Sequence, residues 1–129
     1  MSYNVYTAEY LGIQRNHISI FVETNERDDD KSGRVYHVVG SILDGMTYEV
    51  RDGLFPDAEP SYVDGTLALI GTVRKSAMQD FEAVCEAVEV PGRQMTLGGK
   101  WLDPSRPVRR CGEWVEDAKR ALIEEGVVK

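Results

Sequence analysis

Two histidines, two cysteines and two tryptophans are all that this 129-residue chain contains of those residue types. It also has no excess of positive charge and no apolar run approaching the length of a membrane span. Each shortage excludes something. With a formal net charge of -7 and a pI near 4.8, there is no basic stripe to release counterions, so no nucleic-acid partner is expected. The same balance argues against docking on anionic lipid by charge alone. The opening residues, Met1-Ser2-Tyr3-Asn4-Val5-Tyr6, lack a basic start and a following apolar segment, so no secretory signal is expected. Cys85 and Cys111 fall in separate predicted helices, which favours reduced thiols and a cytoplasmic location. No cofactor is expected. One cysteine with two histidines leaves a zinc site short of a fourth ligand, and no short Cys/His spacing pair is present.

What is there is ordinary for one globular domain spanning 1–129, at 42% hydrophobic and 29% charged residues. His17-Ile18-Ser19-Ile20-Phe21-Val22-Glu23 is rich in β-branched and aromatic residues and predicts a strand. The polar stretch Asn25 to Gly33 predicts a loop, and Arg34 to Gly40 a second strand, making a hairpin. Met46 to Val50 alternates as a third strand. Asp52 to Gly65 reads as a loop. Thr66 to Val73 is nearly continuously apolar, which predicts a central strand buried on both faces.

Two helices follow. Ser76 and Gln79 suggest a capping box for the first, whose apolar residues Met78, Phe81, Val84, Cys85 and Val88 recur at three- and four-residue steps. Pro91-Gly92 ends it, and a long loop carrying Trp101 leads to the second helix, about Arg110 to Glu125, with Gly126 as its stop. Strands first and helices afterwards make the fold α+β, an antiparallel sheet packed against helices.

Chemistry concentrates at Cys111, the start of the last helix. Steps of three and four from it reach Trp114, Val115, Ala118 and Leu122, so it belongs to the buried face and is accounted for as a small hydrophobe. It is equally placed for nucleophilic work. A helix N-terminus and the adjacent Arg109 and Arg110 favour thiolate, free N–H groups there stabilise an oxyanion, and Gly112 leaves room for a substrate. Cys85, mid-helix between Val84 and Val88, belongs to the core. His17 and His37 face the same way if the hairpin register has an even sum; direct pairing of the two centres the loop near Arg27. Otherwise each is a half-exposed strand residue with no task. Trp101 serves either as a wall of a substrate groove or as a loop anchor.

His17-Ile18-Ser19-Ile20-Phe21-Val22 resembles the "H-W-x-[IL]-[FY]-V" strand of the circularly permuted papain-like proteins, which include the NlpC-type and lecithin:retinol acyltransferase-like families. Gly33 to Val38 is similar to their second strand, and Cys111 to Ala118 to their nucleophile helix, "N-C-x-x-[WF]-V". A group of small fungal proteins of this fold shares these features along with Ile70-Gly71-Thr72-Val73 and Val88-Glu89-Val90-Pro91. The resemblance, from about Asn16 to Gly126, implies Cys111 as nucleophile, His17 as base and His37 as the residue that orients it. The sequence departs at Arg110, where the family has Asn, and at Ile18, where it has Trp; both bear on substrate binding rather than on fold.

The expected function is therefore thiol-dependent acyl transfer, as a hydrolase or an acyltransferase, on a small-molecule or peptide amide, ester or thioester. The alternative is a binding module that keeps the fold without turnover.

Overall fold

The computed structural model describes residues 1–13, 15–24 and 32–129. Five strands make one sheet: β1 (Ser2–Tyr10), β2 (His17–Val22), β3 (Ser32–Ser41), β4 (Gly45–Leu54) and β5 (Ala68–Arg74), in the order β4-β3-β2-β1-β5. Every neighbouring pair is antiparallel. Two α-helices follow, α1 (Met78–Ala87) and α2 (Cys111–Glu124). The α+β class and the antiparallel sheet packed against helices hold as predicted. The predicted loop Asn25–Gly33 lies mostly outside the described residues.

Alternation sorts the sheet into two apolar faces. Ile18, Ile20 and Val22 of β2 join Val5, Tyr36, Val38 and Val73 against the helices, where Phe81, Cys85, Trp114, Val115, Ala118 and Leu122 are buried. Phe21 and Val35 point the other way and pack with Phe55, Tyr6 and Leu67. The segment after β4 covers that second face. It begins with a short 3-10 turn, Pro56–Ala58, and then runs beside β1, with Val63 N–H donating to Glu9 O and Leu11 N–H to Ser61 O.

The strand at 2–10 is an element the sequence reading did not assign, and it lies between β2 and β5. The apolar stretch at its other side is correspondingly displaced. β5 is not central but the edge strand of the sheet, with Leu69 60% exposed. Its apolar character serves one face, and the chain's last residues shield its outer edge. Thr72 and Lys129 exchange backbone hydrogen bonds, and Val73 bridges Val128. Gly71 has φ 148°, and a Cβ there would lie 2.8 Å from Lys129 O, so only glycine allows that approach.

The capping box expected at Ser76 is absent. Lys75–Ala77 forms a 3-10 turn, and α1 starts at Met78 with no side-chain cap. Tyr36 ties α1 to the sheet, its hydroxyl donating to Glu82 Oε2 at 2.7 Å, while Arg34 Nη1 sits 2.9 Å from the same carboxylate.

Candidate active site

Gln94 sets the approach of the chain to α2. Its Oε1 accepts from Arg109 N–H at 2.8 Å and its Nε2 donates to Arg109 O at 2.6 Å, a two-bond clamp on one backbone unit. Arg110 then takes an extended N-cap conformation, and Glu113 Oε1 accepts its N–H at 2.6 Å. That is one half of a capping box; a guanidinium has no acceptor with which to complete it. Burial of Trp114 and Val115 presses the first turn onto β2. A Cβ on Gly112 would meet Ile18 Cδ1 at 3.3 Å, so this glycine gives room to Ile18.

Cys111 is thereby fixed as the first residue of α2, half-buried, with a free thiol. Cys85 is the other free thiol; it is fully buried, and burial pushes it up to about 12. It belongs to the core, as the helical periodicity predicts.

The two histidines are together. Ile20 pairs with Tyr36 and Phe21 with Val35, a register offset by two residues from direct pairing of His17 with His37. A two-residue offset keeps both on one face. His17 Nε2 lies 2.7 Å from His37 Nδ1, with the rings edge-on at 65°. His37 is 5% exposed. Its other nitrogen, Nε2, is 3.2 Å from Oε2 of Glu49, its direct partner across β3 and β4. Glu49 is a site residue the sequence reading missed. Its only trace in the sequence is an acid in an alternating strand; setting it opposite His37 takes the β3–β4 register.

Burial is the main influence on both rings. It pushes His17 down to about 4, helped by His37 and by the positive charge of Arg51, while Glu49 opposes it. Burial also lowers His37, against the pull of Glu49. Both are uncharged imidazoles at neutral pH, which is the form that accepts a proton.

His17 and Cys111 line one cavity of about 530 Å³ at the end of the sheet where β2 begins. Ile18, Ile42, Leu43, Met46 and Met95 supply its apolar wall, and Arg15 and Arg110 its cations. By alternation the His17 side chain leaves the strand on the face opposite Ile18, whereas α2 packs on the Ile18 face. The imidazole therefore leaves β2 on one face of the sheet, while the helix that bears the thiol packs on the other. Arg109, expected beside the thiol, is occupied elsewhere, paired with Asp117. Trp101 walls a different hollow of about 320 Å³, with Arg93, Leu102 and Arg106, and at 41% exposure it is no core anchor. Among the described residues, no group of three or more His, Cys, Asp and Glu is arranged to hold a metal ion.

The chain belongs to a family of unknown function, DUF6540, whose model matches residues 5–129. No curated protein and no solved structure matches it. Among the described residues, no helix is long and apolar enough to cross a membrane.

Proposed function

We propose that this protein is a thiol-dependent acyl-transfer enzyme of the permuted papain-like kind, with Cys111 as nucleophile, His17 as base and His37 as the residue orienting the base. The observation that carries the reading is the 2.7 Å contact from His17 Nε2 to His37 Nδ1 beside a cavity that Cys111 also lines. With Nε2 occupied, Nδ1 is the nitrogen left for the thiol. The chain order of histidine strand, second histidine strand and cysteine helix supports the same assignment.

The reaction balances on these groups. Nδ1 of His17 takes the thiol proton as Cys111 Sγ bonds to the carbonyl carbon of an amide, ester or thioester. The N–H groups in the first turn of α2, which have no intrahelical acceptor, stabilise the oxyanion. The bond to the leaving group breaks, and the leaving group takes the proton from His17. Water, or another acceptor, then gives its proton to His17 and attacks the thioester. Release of the acyl product returns that proton to the sulfur. Ile18, Ile42, Leu43 and Met46 give the cavity an apolar character suited to the acyl part of a substrate.

A second reading has its own observation. Side-chain alternation sets the imidazole on the face away from α2, which suits a binding module whose cavity holds a ligand without turnover. Intact-mass measurement after exposure to activated esters separates the two. The enzyme reading expects a one-acyl adduct on Cys111 that is lost with time, and none in Cys111→Ala. Rates should fall in the order wild type, His37→Asn, His37→Ala, His17→Ala, because an Asn carbonyl still accepts one hydrogen bond from His17. Absence of any adduct on folded wild-type protein supports the binding module instead.

A further inference from the structure

The histidine pair does not end at His37. We propose that Glu49 is a positioning residue that sets the tautomers of both imidazoles, so that the lone pair of His17 is presented on Nδ1. The functional meaning of that lone pair rests on the acyl-transfer reading; the tautomer assignment itself does not.

The geometry fixes the direction of the chain. An ionised carboxylate accepts hydrogen bonds and never donates. Glu49 Oε2, at 3.2 Å, therefore requires the hydrogen on His37 Nε2. A neutral imidazole carries one ring hydrogen, so His37 Nδ1 is then an acceptor. At 2.7 Å from it, His17 Nε2 must donate. That leaves His17 Nδ1 bare, the atom a thiol needs as base. The reverse arrangement, with His37 Nδ1 donating to His17, turns a bare Nε2 toward a carboxylate and sets two acceptors face to face. Glu49 is built for the task by its register, directly opposite His37 on the same sheet face.

Other charged and titratable groups face this chain. Arg51 follows two residues along β4 and opposes protonation of both rings. Tyr10 is the direct partner of His17 across β1 and β2, and Glu59 and Tyr62 adjoin Tyr10 from the covering segment. Of these neighbouring groups, Glu49 is the one within hydrogen-bond distance of an imidazole nitrogen.

The test uses ¹⁵N-labelled histidine in the full chain and reads ring-nitrogen shifts at pH 7 in wild type, Glu49→Gln and Glu49→Ala. The Glu49 side chain is 43% exposed, so neither substitution opens a core cavity. Wild type should show both histidines as single Nε2–H tautomers. Glu49→Gln should keep them, because its amide oxygen accepts the same hydrogen bond. Glu49→Ala should populate the Nδ1–H form of His37 and, with it, of His17. Acylation of Cys111 by an activated ester should slow by about tenfold in Glu49→Ala and much less in Glu49→Gln, with no further loss when Glu49→Ala is added to His17→Ala. Unchanged tautomers in Glu49→Ala would overturn the proposal. If the tautomers shift but acylation ignores both Glu49 and His17, the positioning role stands and the acyl-transfer reading falls.

Discussion

His17 Nε2 and His37 Nδ1 lie 2.7 Å apart on neighbouring strands, and one of the two must donate to the other. The pair is joined while both rings are neutral, which gives the fold a pH dependence. His17 has a folded-state value of about 4, below the ordinary 6.5. An unfolded chain therefore binds its proton first as pH falls. Stability from this group is complete above about pH 6.5 and is lost as pH falls from there toward 4. His17 keeps some contact with water, so the loss should be about 1–2 kcal/mol. Urea unfolding at pH 7.5 and 5.0 measures it. The drop should be smaller in His17→Asn, which has nothing to titrate in that window.

Cys85 is fully buried among Phe81, Trp114 and other apolar side chains. Cys85→Ser would bury a hydroxyl there and should cost about 1–3 kcal/mol while leaving the chemistry of Cys111 intact. Cys111→Ala should do the opposite, keeping the midpoint of unfolding and losing reaction with activated esters. Loss of that reaction in folded Cys85→Ser, with Cys111→Ala still reactive, would put the nucleophile at the wrong cysteine.

Gln94 holds Arg109 by two backbone hydrogen bonds, one residue before the N-cap of α2. Gln94→Ala removes both and should lower stability by about 1–2 kcal/mol. Because the clamp sets where Cys111 sits, acylation should slow as well. Gln94→Glu keeps an acceptor for Arg109 N–H but sets an oxygen against Arg109 O, and it should not restore the rate.

Gly71 meets Lys129 O where a Cβ would stand 2.8 Å away, at φ 148°. Gly71→Ala should cost about 1–3 kcal/mol by backbone strain and by pushing the C-terminal residues off β5. Hydrogen exchange would report it as faster exchange at Thr72 and Lys129, which protect each other in the wild type.

Local pattern was enough for β2, β3 and both helices, because each carries its own periodicity. Cys111 at the start of α2 and Gly126 just beyond its end were legible for the same reason. What the sequence did not disclose is set by long-range pairing. Ser2 to Tyr10 alternates with polar residues among its apolar ones, and only its two partners make it a central strand. The nearly continuous apolar run from Thr66 to Val73 reads as central because burial on two faces and burial on one face plus a covering C-terminus have the same composition. His17 and His37 could be put on one face by parity alone. Glu49 could not be joined to them, since that needs the β3–β4 register. Trp101 and Arg109 were assigned by nearness in sequence to Cys111, and tertiary contacts took both elsewhere.

Acylation of Cys111 by an activated ester, followed from pH 4 to 9 by intact mass in wild type and His17→Ala, tests the central claim most directly. A neutral imidazole acting as base predicts a rate that holds down to about pH 5 and falls as His17 is protonated near 4. His17→Ala should be slower by about 10²–10⁴-fold at pH 6, with no fall in rate near pH 4. Equal rates and equal profiles in the two proteins would contradict the account, leaving Cys111 a helix-end thiol with no base.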